Sequence, residues 1–272
     1  METYVCARHF RAAGSEFLML DPGNTVAEGT IPNVAGDFVY EPATAKLLLD
    51  ALRCSGAFCD IGALHGYFPC LVAAVLPDRI VHAFEANPEA HHVLERNFAI
   101  NRVRGLAHWA AVNADGADVR FAGRSFVDDN AAGSFTVRGV RFDDFAAATK
   151  LTSVVVKIDV HGSEGFVLDG MQESLRTRIS DILLEIHPRK QLVGDFSYEY
   201  FLDTLENAGF AVFEVGDFRD IEDLQLIPLV GQARLDFVDE GQWRPEHDTL
   251  QRMLFATKSP PENFSISTQT RG

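Results

Sequence analysis

The chain has 272 residues, 47% of them hydrophobic and 23% charged, which is enough for one large domain with a full core and no need of a second. Its net charge of −15 argues against a bare phosphate backbone as partner, since nucleic-acid binding rests on Lys and Arg neutralising phosphates. No run approaches the roughly 18 apolar residues of a membrane span, and METYVCARHF lacks the charged-then-apolar pattern of a secretory signal, so a cytoplasmic protein with a small, neutral or cationic partner is expected.

Residues 1–40 lack clear periodicity and are predicted to form a cap over the sheet or the pocket mouth. From residue 41 helix and strand alternate. PATAKLLLDALR (42–53) has helical apolar spacing, GAFCDIG (56–62) is a short buried strand, and GYFPCLVAAVL (66–76) is a helix with Pro69 tolerated in its first turn. A second strand, RIVHAFEAN (79–87), leads into the helix PEAHHVLERNFAIN (88–101), which has proline at its start and Glu89 in its first turn. GLAHWAAVN (105–113) reads as a third strand and ADGADVRFAG (114–123) as a turn into an edge hairpin.

Residues 123–140 are polar and Gly-rich, consistent with a hairpin or loop over the pocket. SVVVKIDV (153–160) is a nearly continuous β-branched run and hence a central strand. SEGFVLDGMQESL (163–175) reads as a helix, SDILLEIHP (180–188) as a buried strand and YEYFLDTLENAG (198–209) as a helix with a Gly stop. FAVFEVG (210–216) and ARLDFVDE (233–240) complete about seven strands. Strand followed by helix throughout is the pattern of a wound parallel sheet. The domain is expected over 41–256, with the polar, Pro- and Ser-rich 257–272 a disordered tail.

Cys6, Cys54, Cys59 and Cys70 form no CxxC pair and have no zinc-type histidine spacing. Three of them lie in apolar strand or helix contexts and read as small, reduced, inert hydrophobes.

The turn Gly62-Ala63-Leu64-His65-Gly66 after the first strand has neither the GxGxxG spacing of a dinucleotide site nor a P-loop. Asp60 at the strand end would repel a pyrophosphate but hold the ammonium of an amino-acid moiety, directly or through water. Glu85, 25 residues on at the end of the second strand, is placed to accept both hydroxyls of a ribose. Together they point to S-adenosylmethionine; the bland alternatives are a helix cap for Asp60 and a solvated turn for Glu85.

FCDIGALHGYF, VHAFEANPEAHHVLERNFAIN, AAVNADGADVRF, VVKIDVHGSEGFVLDGM and ILLEIHP, in that order across residues 38–240, resemble the FkbM family of S-adenosylmethionine-dependent methyltransferases. The resemblance implies the class I methyltransferase fold: a Rossmann-like α/β three-layer sandwich whose seven-stranded, mostly parallel sheet has its last strand antiparallel. It also implies O-methylation of a hydroxyl on a natural product or sugar, as in secondary metabolism. It puts Asp60, Gly62, Ala63 and Gly66 on the methionine-binding turn, Glu85 on the ribose, Ala111 and Val112 near the adenine edge, and Asp159 facing the sulfonium. One position departs from the pattern. Where the family reads Lys-Ile-Asp-Val-Glu-Gly, this chain has His161, which removes a carboxylate and could supply a base.

Asp159, His161, Glu185 and His187 fall at C-terminal strand ends, where open α/β sheets bind ligands. Imidazoles titrate near neutrality when unperturbed, so His161, His187 and Asp159 are the candidate catalytic residues, with a hydroxylated small molecule as acceptor. Against this, His187 could bond a loop and His161 cap the helix at 163. Lys157 points to the face of Asp159 and reads as its structural ion partner. Asp159, Glu185 and His187 would also suit a divalent metal, but the sequence does not show that they converge, and no metal is assigned. His65 sits at a variable position of the turn and His91-His92 on an outer helix. The segments 1–40, 123–140 and 216–232 are expected to build the acceptor pocket.

Two other readings stay open. A nucleic-acid methyltransferase lacks support in the charge and in the absence of an [ND]-P-P-[YFW] motif. A non-catalytic cofactor-binding or partner subunit is kept open by His161, as is assembly into a homodimer.

Overall fold

The computed structural model describes residues 7–22, 26, 30–32, 38–122, 125–126, 134–216, 224–243 and 251–259. Of the tail expected over 257–272, Thr257 instead ends a buried strand and residues 260–272 lie outside the described residues, as do 123–124, 127–133 and 217–223. Among those described, no helix is long and apolar enough to cross a membrane.

An eight-stranded sheet organises the chain. Its strands are β1 (Ala57–Ile61), β2 (Ile80–Glu85), β3 (Gly105–Trp109), β4 (Val154–Ile158), β5 (Ile179–Ile186), β6 (Ala211–Val215), β7 (Leu226–Pro228) and β8 (Arg252–Thr257), in the spatial order β3-β2-β1-β4-β5-β8-β6-β7. Strands β1 to β5 pair in parallel, whereas β8 lies antiparallel between β5 and β6, as the resemblance implied for the last strand. The short β7, antiparallel to β6, adds an eighth strand at the edge.

Side-chain alternation along each strand splits the core in two. Phe58, Val81, Val155, Leu183 and Phe255 face helices α1 (Pro42–Cys54), α2 (Tyr67–Val75) and α3 (Pro88–Asn101). Cys59, Ile61, Val156, Ile158, Leu184 and Ile186 face α4 (Phe142–Ala148), α5 (Glu164–Asp169), α6 (Gln172–Thr177) and α7 (Tyr198–Asn207). Helices cover both faces, so the central strands are apolar on both sides, and this explains their unbroken hydrophobic runs.

Four expectations are corrected. The strand expected over 233–240 is part of α8 (Gly231–Trp243), and the antiparallel strand is β8. Leu235 and Phe237 do alternate with charges, but Arg234, Phe237 and Val238 form a three-four helical stripe, with Phe237 buried and Leu235 exposed. Met253, Leu254, Phe255 and Ala256 are all fully buried, as an interior strand requires. The single helix expected over 163–175 is two short ones, α5 and α6. At Gly170 between them, an added Cβ would lie 2.1 Å from the Asn113 carbonyl oxygen, so the backbones meet too closely for a side chain there. The third strand ends at Trp109, and Ala111–Val112 pairs instead with Gly139–Val140. Of the cysteines read as buried, Cys59 and Cys70 are, with burial pushing both thiols up, while Cys54 is exposed.

Ahead of the sheet, Ala7–Ala12 and Ser15–Leu20 form an antiparallel hairpin that packs on α2 and α3. Asn97, fully buried on α3, fixes it. Its Oδ1 accepts from the Leu20 N–H at 2.7 Å, and its Nδ2 donates to the carbonyls of Leu20 at 2.9 Å and His65 at 2.7 Å. One side chain thereby links the hairpin, α3 and the glycine turn. Asn97→Ala leaves three buried backbone groups unpaired, at about 1–3 kcal/mol each before relaxation. A loss of at least about 3 kcal/mol in urea denaturation is expected, and an unchanged midpoint would remove this role.

Candidate active site

Beside β1, the chain runs outward through β2 and β3 on one side and through β4 onward on the other, which makes the C-terminal ends of β1 and β4 a topological switch point. The two ends are held closely together. The Asp159 N–H donates to the Ile61 carbonyl at 2.9 Å, and a Cβ on Gly62 would lie 1.8 Å from the Asp159 carbonyl oxygen. Gly62 also has φ +87°, in the left-handed region that favours glycine. A cavity of about 560 Å³, within the usual range for small-molecule sites, opens above this junction.

At one side of the cavity stands Glu85. Its Oε2 accepts from the Leu64 N–H and its Oε1 from the Asn87 N–H, both at 2.8 Å, and the Ala86 N–H also bonds the carboxylate, which keeps acceptor capacity towards the cavity. Burial pushes its carboxyl up, and the backbone N–H groups oppose that shift. Asn87 in turn caps α3, its Oδ1 accepting from the N–H groups of Glu89 at 2.9 Å and Ala90 at 3.0 Å. Phe84, Ala110, Ala111, Val112 and Phe121 supply apolar wall next to it.

Across β1 lie Asp159 and His161 at the end of β4 and Glu185 near the end of β5, with Tyr40 and Glu41 from the segment before α1. Asp159 Oδ2 accepts from Lys157 Nζ at 3.3 Å, and its Oδ1 lies 3.6 Å from His161 Nδ1 and 4.0 Å from His187 Nε2. Burial works against the Asp159 charge, but Lys157, His161 and His187 outweigh it and hold the carboxyl below its ordinary range. Lys157 is 2% exposed; burial disfavours its charge, yet Asp159, Glu41, Asp60 and Glu185 push its pKa up, so it remains an ammonium. His161 is half-exposed, and its backbone, with φ +52°, is in a conformation L residues avoid outside special sites. His187 is fully buried, and its Nδ1 lies 2.8 Å from Glu164 Oε1.

Of the residues expected to hold the cofactor, Gly62, Glu85, Ala111, Val112 and Asp159 line the cavity, and Asp60, Ala63 and Gly66 do not. Asp60, 1% exposed, sits in register with Lys157 on the neighbouring strand, and burial pushes its carboxyl up to about 7. Its reach to an ammonium is therefore indirect. Among the candidate catalytic residues, Asp159 and His161 reach the cavity wall, while His187 stands behind them. His65 lines the cavity with its Nδ1 3.3 Å from Asp21 Oδ1, and Lys157 forms the ion pair expected of it. From the three segments expected to build the acceptor pocket, Pro22 and Tyr40 line the described cavity.

Sequence reasoning missed Glu41, Gln251 and Glu164. The first two face the cavity from outside the patterned strand ends. Glu164 was visible as the acid opening a helix, and its Oε1, which also accepts from the Gly162 N–H at 2.9 Å, is the residue that orients His187.

The cavity fits S-adenosylmethionine. Glu85 keeps acceptor capacity for ribose hydroxyls, the Ala110–Val112 wall offers an apolar shelf for an adenine, and Asp159 Oδ1, buried with no hydrogen-bond partner among the described residues, offers a charge for the cationic end.

No curated protein matches the chain. Among solved structures it is similar to a precorrin-6y C5,15-methyltransferase from Geobacter metallireducens (13% identity, 81% of this chain, 89% of that one, TM-score 0.42). It is also similar to Aeropyrum pernix fibrillarin with natively bound S-adenosyl-L-methionine (13%, 93% and 100%, TM-score 0.44). A third is a putative O-methyltransferase from Klebsiella pneumoniae (14%, 88% and 91%, TM-score 0.43). Likenesses this distant say nothing of this chain's substrate. Residues 60–212, more than half of the chain, match the family model described as the methyltransferase FkbM domain, and so span Asp60, Glu85, Asp159 and His187. The chain belongs to the FkbM methyltransferase family, with S-adenosylmethionine as its methyl donor.

Proposed function

We propose that the chain methylates a hydroxyl group on a small molecule. The observation that carries this reading is the half-exposed His161 imidazole on the cavity wall, 3.6 Å from an Asp159 carboxylate held in its charged form. When bound, S-adenosylmethionine supplies an electrophilic methyl group. The chain's own task is then to hold an oxygen close to that group and to take its proton. His161 is placed to accept the proton, and Asp159 stabilises the imidazolium that results. Glu85 would hold the ribose hydroxyls, and Gly62 lets the two strand ends close up beneath the cofactor.

Two further observations favour a small acceptor over a polymer. The cavity is lined by acidic groups, Glu41, Glu85, Asp159 and Glu185, which would repel a phosphate backbone. The net charge of −15 acts in the same direction over the whole surface.

Glu85→Ala removes two hydrogen bonds to a charged acceptor, and S-adenosylmethionine should bind at least about ten-fold more weakly by calorimetry. Equal affinity would remove Glu85 from the site. For the chemistry, wild-type protein given methyl-labelled S-adenosylmethionine and a panel of hydroxylated small molecules, peptides and RNA should label hydroxylated small molecules, with the methyl on oxygen by mass spectrometry. His161→Ala should lower kcat by about 100- to 10,000-fold with cofactor affinity unchanged. Label found only in RNA or peptide, or full turnover by His161→Ala, would contradict this reading; cofactor binding without turnover on the panel would favour a non-catalytic subunit.

A further inference from the structure

The general-base reading uses His161 but leaves His187 unexplained. Glu164 is fully buried, and its Oε1 already accepts from the Gly162 N–H, so the 2.8 Å contact makes His187 Nδ1 the donor. The lone pair of the neutral ring is then on Nε2. That atom is buried with no hydrogen-bond partner among the described residues, and it faces Asp159 Oδ1, which is equally unpartnered. Two buried acceptors pointing at each other are costly unless a cation stands between them, either a proton on Nε2, giving the imidazolium that lowers the Asp159 pKa, or a metal ion. At 4.0 Å the gap is too long for a hydrogen bond, whereas a metal with bonds of about 2.1 Å can join ligands up to about 4.2 Å apart.

A third ligand is at hand. His161 Nδ1 lies 3.6 Å from the same Asp159 oxygen, and one donor atom from each of Asp159, His161 and His187 falls within 4.8 Å of the other two. The two imidazole rings lie with centroids 4.7 Å apart and are tilted by 31° to one another. His161 sits at the cavity surface on a left-handed turn. The carboxylate of Glu164 behind His187 is the arrangement that fixes the tautomer and raises the basicity of a metal-bound imidazole.

The geometry points to a divalent transition-metal site built from Asp159, His161 and His187, with its open positions towards the cavity. Two imidazoles and one carboxylate favour manganese, iron, cobalt or zinc over magnesium. The site itself does not depend on the identity of the acceptor. Its role does rest on the reading above: an ion here would coordinate the acceptor oxygen and lower its pKa, the hydroxyl proton passing to water. In that state the His161 lone pair is committed to the ion, which replaces proton abstraction by the imidazole.

Co²⁺ is the probe. Full-length protein, stripped with chelator, should bind one Co²⁺ per chain with visible d–d absorption bands, and Mn²⁺ or Zn²⁺ should compete for it. His187→Ala and His161→Ala should each weaken binding at least ten-fold, and Glu164→Gln by about 10- to 100-fold. Since His187 is buried and its variant could unfold, His161→Ala on the exposed turn decides the matter alone. No Co²⁺ spectrum, or the same affinity in wild type and His161→Ala, overturns the site. Co²⁺ binding without methyl transfer to any hydroxyl leaves the site standing and removes the O-methylation reading. Chelator-insensitive transfer with no Co²⁺ binding does the reverse.

Discussion

One buried ammonium holds the working end of this molecule together. Lys157 interrupts the otherwise apolar β4, and Asp60, Asp159, Glu185 and Glu41 lie near enough to raise its pKa. Four carboxylates crowded beside a sheet would repel one another and unfold the strand ends. An ammonium among them turns the crowd into a fixed field. The same field keeps Asp159 charged at the cavity wall, while Asp60, deeper and more desolvated, is pushed towards its protonated form. Asp60 and Asp159 thus differ in state because burial dominates at Asp60, whereas Lys157, His161 and His187 together outweigh it at Asp159. The Lys157 ammonium also lies 4.9 Å from the Phe68 ring centroid, which gives the charge an apolar yet favourable neighbour on α2.

That field serves a cavity whose two sides do different work. Around Glu85 the groups are fixed by backbone hydrogen bonds to α3 and the glycine turn and suit a neutral, hydroxyl-bearing ribose. Around Asp159 they are titratable, with His161 half-exposed, and suit a cation. The hairpin ahead of the sheet belongs to the same device. Through Asn97 it is tied to the carbonyl of His65, and Asp21, just after it, contacts the His65 ring at the cavity's edge.

Much of this was legible in the sequence, for identifiable reasons. Strands buried on both faces write themselves as runs such as VVVKI, and the spacing from Asp60 to Glu85 follows from one helix of a parallel crossover. The convergence of Asp159 with His161 was foreshadowed because both belong to one strand end. What escaped was long-range or ambiguous. Asp60 read as a pocket residue because its position along β1 was visible and its depth beneath the pocket floor was not. Glu164 and His187 are 23 residues apart, and only the packing of α5 under the end of β5 brings them within hydrogen-bond reach. The segment 233–240 carried both a two-residue alternation and a helical stripe, and the contact of the Arg252 guanidinium with the Phe237 ring, 3.9 Å to its centroid, shows how α8 packs against β8.

The central claim is that the Lys157 charge sustains the acidic cluster around the cofactor cavity, and Lys157→Met tests it with little change of volume. The measurement is urea denaturation of wild type and variant between pH 5 and 8. At pH 8 the variant should lose at least about 3 kcal/mol, because buried carboxylates then lack their counter-charge. Their folded pKa values would lie above the unfolded ones, so the folded state would bind more protons, and the deficit should shrink as pH falls. A variant as stable as wild type at pH 8, or a deficit that does not change with pH, would contradict the account.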